Sequence, residues 1–174
     1  MISSEVLDRI KRRLGAWEAN DPTAIAKDFG PGGVMPRQDL VALVGRRTQA
    51  WNDHDPDAVS ACYAANGVWR DLRRDAPARG RGAIRDAIAV YFRAFPDVQW
   101  HVLRTLCEGR LICQEWRATG THLGDFDGLA PTGQTVTRSG CDVTLIGTNR
   151  LIEVETTYWD ALGLYEQLGL GVQA

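Results

Sequence analysis

The chain has 174 residues, of which 44% are hydrophobic and 24% are charged, a composition typical of one globular domain. Its 20 Lys and Arg residues are scattered among 22 Asp and Glu residues, and the formal net charge of −2 argues against a nucleic-acid partner. No apolar run has the length of a signal peptide or of a membrane span, so we expect a cytoplasmic protein that does not bind membranes.

The four cysteines do not form C-x-x-C pairs, and no histidine lies at zinc-finger spacing from them. Reduced thiols are therefore expected, without a disulfide framework and without a metal site. These cysteines are Cys62, Cys107, Cys113 and Cys141.

Two segments read alike, RRLGAWEANDPTAIA from Arg12 and RRTQAWNDHDPDAVS from Arg46. Each predicts a helix that ends at a Trp, followed by an Asp-Pro pair that caps and starts a second helix. Both copies also share Arg-Arg and Trp, which capping does not require, and this suggests a partial duplication. Because Gly30–Gly33 marks a flexible break, we predict a helical arm at residues 1–35 and a domain at residues 36–174.

The second copy leads into the main domain. YAANGVWRDL predicts the end of a helix at Tyr63 and a strand around Val68–Leu72, because its apolar residues alternate. AIRDAIAVYFRAF then has apolar residues at helical spacing, which predicts a third helix facing the core. Four strands with short connections follow, and such connections favour an antiparallel meander. These strands are Val98–Leu106, Arg110–Leu123, Thr135–Ile146 and Leu151–Thr157.

Asp160 caps a last helix, ALGLYEQL, which ends at Gly169. Helices followed by a long antiparallel sheet indicate an α+β fold, in which a curved sheet wraps around the N-terminal helices. A sheet that curls over helices leaves an internal pocket. Gly120 lies where the strand pattern breaks, and we expect the strand to bend there at a point where a Cβ atom would press against backbone.

The hairpin SGCDVTLIGTNRLIEVETT carries the most informative polar pattern. If Thr148-Asn149 is its tip, Asp142 lies directly opposite Glu155, with Cβ atoms about 4.5–5.5 Å apart. Side chains alternate between the two faces of a strand. One face therefore carries Asp142, Thr144, Glu153, Glu155 and Thr157.

Two carboxyl groups held together in a poorly hydrated cavity cannot both ionise cheaply. We therefore expect either Asp142 or Glu155 to keep its proton near neutral pH while the other stays anionic. Such a pair can remove a proton next to a carbonyl group and return one to oxygen without a cofactor. The alternative is that this face is solvated and that the opposite residues face the core, namely Val143, Leu145, Ile152 and Val154.

Several short motifs resemble the SnoaL-like polyketide cyclase family over residues 38–170. The resemblance implies the cone-shaped α+β barrel that this family shares with ketosteroid isomerase and nuclear transport factor two. It also implies a homodimer or higher homo-oligomer, and a cofactor-free enzyme that cyclises or isomerises a hydrophobic, carbonyl-containing small molecule. The motifs are Gly120-Thr121-His122, Phe126, Gly128, Pro131-Thr132-Gly133, Arg150-Leu151-Ile152-Glu153, Tyr158-Trp159-Asp160 and Gln167-Leu168-Gly169.

The resemblance further implies that the catalytic polar side chains lie on the last two strands. The strand glutamine of the family matches Asp142, one histidine matches Thr144, a second histidine matches Glu155, and the catalytic aspartate matches Thr157. Thr157 has no carboxylate, and its hydroxyl is too weak a base to activate a carbon acid or a water. If the protein is an enzyme, its base is at another position.

Asp71 is a second candidate for this base, because it falls where the similar ketosteroid isomerases keep their general base. Its neighbours Arg70, Arg73 and Arg74 would lower the pKa of the carboxylate and weaken it as a base. A surface salt bridge is therefore the competing interpretation of Asp71.

Further residues are candidates for substrate binding. His122 is polar at the cavity end of a strand, although a structural histidine is the alternative. An aromatic interior suits a flat hydrophobic substrate, and small-molecule sites combine apolar walls with few polar groups. The substrate-binding candidates are His122, Thr144, Thr157, Trp69, Trp116 and Phe126.

Two other functions stay open. An epoxide hydrolase with the same fold would need an arginine and two aspartates around a water, and Thr157 replaces the usual aspartate of the last strand. A non-catalytic binding or assembly protein would fit the missing aspartate and the extra arm at residues 1–35.

Overall fold

The computed structural model describes residues 35–169. The predicted arm and the first copy of the repeat lie outside these residues, except for Met35. No helix within 35–169 is long and apolar enough to cross a membrane. The helices are α1 (Arg37–Asn52), α2 (Pro56–Ala61), α3 (Gly80–Ala94) and α4 (Ala161–Gln167). The strands are β1 (Tyr63–Asp71), β2 (Ala78–Arg79), β3 (Gln99–Glu108), β4 (Leu111–Thr121), β5 (Thr135–Ile146) and β6 (Ile152–Trp159).

The six strands form one curved sheet in the order β2-β1-β6-β5-β4-β3, which confirms the α+β fold class. Strands β3 to β6 form the predicted antiparallel meander. Strand β1 starts at Tyr63, where a helix end was predicted, and runs parallel to β6. A parallel pair requires a long crossover, and here α3 and four strands separate β1 from β6 along the chain. The sheet is open, since β2 and β3 form its edges.

The helices cover one face of the sheet. Asp55 accepts a hydrogen bond from the backbone N–H of Ala58 at 2.9 Å, which confirms the predicted Asp-Pro start of α2. Helix α1 packs against β3 and α2, while α3 packs against β1 and α2. The rings of Trp51, Trp69 and Tyr91 meet at edge-on angles and join α1, β1 and α3. This aromatic cluster forms the wall between the helices and the sheet.

Gly120 allows β4 to pass close to the start of β3. A Cβ atom at Gly120 would lie 3.2 Å from the Cα atom of Val98, tighter than an ordinary contact. The loop beyond it closes through two backbone bonds, from His122 N–H to Gln134 O and from Gly133 N–H to His122 O, both 2.9 Å. The predicted close approach of backbone at Gly120 and the return of the chain to the next strand are confirmed, while β4 pairs regularly with β5 through Gly120.

The pairing of β5 with β6 differs by two residues from the prediction. Asp142 pairs with Thr157, and Thr144 pairs with Glu155, so the predicted Asp142–Glu155 pair is wrong. A shift of two residues leaves Asp142, Thr144, Glu155 and Thr157 on their predicted inward face. Asp142 and Glu155 are only 3% and 1% exposed, so the alternative of a solvated acidic face is also wrong.

The register changes because the hairpin loop is longer than a two-residue tip. The N–H of Gly147 donates to the carbonyl of Leu151 at 2.7 Å, and Arg150 has a left-handed φ of 62°. Ile146 pairs with Ile152, and an irregularity precedes this pair. Glu153 was predicted on the inward face, but this irregularity leaves its side chain 44% exposed.

Candidate active site

A cavity of about 390 Å³, its mouth included, lies between α1, α3 and the inner face of the sheet. Six aromatic side chains line it, namely Trp51, Trp69, Tyr91, Trp100, Trp116 and Trp159. Five charged side chains also line it, namely Arg47, Asp71, Arg138, Asp142 and Glu155, together with Thr48 and Thr157.

Arg47 reaches from α1 into the acidic face of β5 and β6. Its Nη1 atom lies 2.5 Å from Oε1 of Glu155, and its Nη2 atom lies 2.9 Å from Oδ2 of Asp142. Nη2 also donates to Oε1 of Gln114 on β4 at 3.0 Å. Burial disfavours the charged form of Arg47, but the two carboxylates outweigh this effect and raise its pKa. We call Arg47, Asp142 and Glu155 the acidic triad.

Glu155 is the member of the acidic triad that titrates near neutral pH. Burial raises its pKa from 4.5 to about 7, with Arg47 opposing the shift and Asp142 adding to it. The hydroxyl of Tyr63 donates to Oε1 at 2.8 Å, and the hydroxyl of Thr144 donates to Oε2 at 3.1 Å. Glu155 can therefore hold a proton at pH values where an exposed glutamate is ionised.

Asp142 differs from Glu155 because one of its two carboxylate oxygens has no hydrogen-bond partner. Its Oδ2 atom accepts from Arg47, whereas its buried Oδ1 atom has no hydrogen-bond partner. A buried acceptor without a donor is costly, so a ligand or water that offers a proton to Oδ1 would be favoured. This atom is the position in the triad best suited to take a proton.

The two acids were expected to share a proton directly, and the structure corrects this expectation. The Arg47 guanidinium lies between Asp142 and Glu155, so the groups share a cation. A buried cation between two acids compensates one negative charge, and a proton on one acid would compensate the other.

Asp71 is also buried, at 3% exposure, so the surface salt bridge considered for it is not what the structure contains. One oxygen accepts from Trp159 Nε1 at 2.9 Å and from the backbone N–H of Arg73 at 3.1 Å. The other accepts a short hydrogen bond from the Tyr91 hydroxyl and lies 3.8 Å from Arg73 Nη2. We call Asp71 and these donors the Asp71 centre. Both of its carboxylate oxygens are occupied.

The predicted binding residues divide into two groups. Trp69, Trp116 and Thr157 line the cavity, and Trp69 Nε1 donates to the Thr157 hydroxyl at 3.0 Å. Thr144 is fully buried behind the cavity wall, where it orients Glu155.

His122 and Phe126 lie outside the cavity walls. His122 is fully buried, its Nδ1 atom accepts from the Thr132 backbone at 3.2 Å, and its ring packs on Phe95. Phe126 packs on Phe95 and Tyr91. These contacts support the structural interpretation of His122. Among residues 35–169, no three His, Cys, Asp or Glu side chains are grouped as metal ligands.

Sequence reasoning missed Arg47 and Arg138 as cavity residues. For Arg47 a signal was present, because the Arg-Arg and Trp shared by the two similar segments are not explained by helix capping. In the second segment these residues include Arg47 and Trp51, and both line the cavity. For Arg138 no comparable signal exists, since it is one arginine on a strand of alternating residues.

The model of the SnoaL-like polyketide cyclase family matches residues 42–168, which is most of the chain. The protein belongs to the SnoaL-like polyketide cyclase family. The matched range includes every residue of the acidic triad and of the Asp71 centre. No curated protein matches the chain.

Solved structures similar to this SnoaL-like protein share its fold. TsrD from Streptomyces laurentii is 23% identical, with a TM-score of 0.70 over 79% of this chain and 99% of that chain. A protein with a ketosteroid isomerase-like fold from Catenulispora acidiphila is 19% identical, with a TM-score of 0.65 over 74% and 93%. SalBIII, described as an epoxide hydrolase/cyclase-like enzyme, is 18% identical, with a TM-score of 0.63 over 73% and 95%. At these identities the likeness shows the fold alone.

Proposed function

We propose that the protein is a cofactor-free acid/base enzyme that cyclises or isomerises a hydrophobic, carbonyl-containing small molecule. The observation that carries this proposal is the acidic triad. Arg47 holds Asp142 and Glu155 in one buried site, Asp142 has an unused oxygen, and Glu155 has a pKa near 7. A buried carboxyl group with a pKa near 7 beside a second carboxyl group with an unpartnered oxygen suits proton transfer at a carbonyl compound.

In the proposed reaction, Asp142 Oδ1 removes a proton from the carbon next to the carbonyl group. Glu155 gives its proton to the carbonyl oxygen, and the product of the two transfers is an enol. In isomerisation, Asp142 then returns its proton to a different carbon while the enol O–H proton goes back to Glu155. In cyclisation, the nucleophilic carbon joins a second carbonyl carbon, whose oxygen takes the proton from Asp142 while the enol O–H proton goes back to Glu155. Arg47 keeps both carboxyl groups in place and balances the charge that stays on the pair.

The cavity walls favour a flat apolar substrate. Trp100 and Trp116 lie with ring centroids 4.9 Å apart, and Trp51 lies 4.6 Å from Trp100. Indole rings offer large apolar faces at a small cost in conformational entropy. The hydrophobic substrate and the homo-oligomer expected from the resemblance both remain predictions.

Hydrogen exchange tests the proposal without a known natural substrate. The full chain is incubated in D₂O with 1-tetralone, 2-tetralone and a β,γ-unsaturated steroid ketone, and loss of the α-hydrogen signal is followed by NMR. We expect exchange or isomerisation of at least one ketone well above the buffer rate. Asp142→Asn and Glu155→Gln should each slow it at least ~100-fold, the usual contribution of one acid or base.

Glu153→Gln is the matched control, because Glu153 lies on the same strand with a side chain that is 44% exposed. This variant should keep the wild-type rate, and circular dichroism should show that all three variants are folded. Wild-type rates in both Asp142→Asn and Glu155→Gln would overturn the proposal. Exchange at the buffer rate across the panel would instead favour a binding protein without catalysis.

Epoxide opening is a second candidate, and the position of Arg47 favours it. This reaction was expected to need an arginine and two aspartates around a water, and Thr157 replaces the usual aspartate of the last strand. The acidic triad supplies an arginine and two acids, with Glu155 as the second acid. Turnover of cyclohexene oxide and limonene oxide to diols, with no exchange on the ketones, would identify this reaction.

A further inference from the structure

Arg138 lies on β5, on the same inward face as Asp142, and is 8% exposed. Aromatic rings surround its guanidinium carbon. The ring centroids of Tyr91 and Trp100 lie 4.8 Å away, that of Trp159 lies 4.9 Å away and that of Trp116 lies 5.7 Å away. We call these four rings and Arg138 the Arg138 box.

Arg138 differs from the other buried arginines of the cavity region in its lack of an acidic partner. Arg47 pairs with two carboxylates, and Arg73 pairs with Asp71 and Asp127. No acid among residues 35–169 forms a salt bridge with Arg138. The Tyr91 hydroxyl and the charge of Asp71 favour its charged form, but that hydroxyl donates its own proton to Asp71.

A buried cation without an anion is costly to keep. Burial lowers the pKa of Arg138, yet an arginine side chain stays protonated in proteins. Contacts with aromatic faces return part of the lost hydration energy. They leave the N–H groups of the guanidinium without an anionic acceptor, and a planar carboxylate is the group that these donors match best.

The Arg138 box and the acidic triad are connected along β5 by Gly140. A Cβ atom at Gly140 would lie 2.4 Å from the Trp116 ring, so this ring occupies the space that a side chain would fill. Arg138 and Asp142 are four residues apart, which corresponds to about 13 Å between their Cα atoms. Both side chains point to the inner face of β5, so a flat molecule that lies along this face could contact both groups.

We propose that the Arg138 box binds the carboxylate of a planar aromatic acid, whose reacting carbon then lies at the acidic triad. This inference names the substrate class of the proposed active site, and it rests on the proposed function only for the position of the reacting carbon. The carboxylate forms charge-assisted hydrogen bonds with Arg138, and its ring system lies against the tryptophans.

Isothermal titration calorimetry on the full chain tests this binding with small probes. We expect 2-naphthoate to bind at least tenfold more tightly than 2-naphthamide, which has the same shape without the charge. Cyclohexanecarboxylate, which has the charge without the planar ring, should also bind at least tenfold more weakly than 2-naphthoate. Equal affinity of the wild-type protein for 2-naphthoate and 2-naphthamide, or no binding of either, would overturn the proposal. This test needs no variant.

Variants then locate the effect at Arg138. Arg138→Gln should reduce the preference for the acid over the amide to less than twofold, while Arg138→Lys should keep part of it because the charge remains. Arg104→Gln is the control, since Arg104 is 70% exposed on β3, and it should bind like the wild type. A preserved preference in folded Arg138→Gln would also overturn the proposal.

The same titration separates this inference from the proposed function. Asp142→Asn and Glu155→Gln should bind 2-naphthoate within threefold of the wild type, whatever their effect on exchange. Tight, Arg138-dependent binding by a protein that never exchanges ketone hydrogens would support the carboxylate site and refute the catalytic proposal. Ketone exchange without a preference for 2-naphthoate over 2-naphthamide would support the catalytic proposal and refute the carboxylate site.

Discussion

Two buried acidic centres face the same cavity, and they differ in how completely their carboxylates are bonded. At the Asp71 centre, Tyr91, Trp159 and Arg73 occupy both oxygens of one acid. In the acidic triad, Arg47, Tyr63 and Thr144 occupy both oxygens of Glu155, whereas Oδ1 of Asp142 has no hydrogen-bond partner.

The difference indicates which centre holds the structure together and which can react. A carboxylate whose two oxygens both accept hydrogen bonds has no free position from which to take a proton from a substrate, so it is a poor base. Asp71 therefore acts as an anchor that positions Tyr91 and Trp159, two rings of the Arg138 box. The acidic triad keeps an unused acceptor and a group that titrates near pH 7, which are the requirements of proton transfer.

The largest expected effect comes from removing the shared cation. Arg47→Met leaves Asp142 and Glu155 buried without a counter-ion, and breaking such a pair costs about 3–5 kcal/mol of unfolding free energy. Arg73→Met is the matched change at the Asp71 centre and should cost about 1 kcal/mol, because other donors still bond Asp71. Urea unfolding at pH 7.5 measures the loss of unfolding free energy in both variants. Equal losses in the two variants would show that the centres do not differ as described.

A smaller change in unfolding free energy is expected when Glu155 loses its proton. Its pKa is 4.5 when exposed and about 7 in the folded protein, so the folded state holds this proton where the unfolded chain has released it. The resulting stability is fully present below about pH 4.5 and is lost as the pH rises to about 7. The wild type should therefore lose about 2 kcal/mol between pH 5 and pH 7.5 relative to Glu155→Gln.

Unfolding free energies of the wild type and Glu155→Gln at these two pH values test this prediction. Glu155→Gln is the reference for the wild type, because all other titrating groups are common to both proteins. Parallel pH dependence in the two proteins would mean that Glu155 is ionised throughout, and the acidic triad would then lack its acid.

The smallest effect is expected at the Asp71 centre. Asp71→Asn keeps the shape of the side chain but removes its charge, so we expect a loss of about 1–2 kcal/mol of unfolding free energy. Ketone exchange should fall less than tenfold, since Asp71 only positions its neighbours. A loss as large as that of Asp142→Asn would make Asp71 the base, as its position along the chain first suggested.

Much of the fold could be predicted from local patterns. The limits of β5 agree with the prediction, and the Asp-Pro start of α2 is confirmed, because alternation and capping depend on neighbouring residues. The inward orientation of Asp142 and Glu155 was one of two interpretations, and burial decides between them. The register was wrong by two residues because an irregularity near Ile146 and the left-handed Arg150 lengthen the loop.

By itself, the sequence determined the order of the helices and long strands and the strand face on which Asp142 and Glu155 lie, since side chains alternate along any strand. The short strand β2 was not predicted. Tertiary structure alone decided that Arg47 lies between these acids, 108 positions before Glu155, and that Arg138 has no acidic partner. Alternation is a property of neighbouring residues, whereas the distance between a helix and a strand far along the chain depends on how the whole core packs.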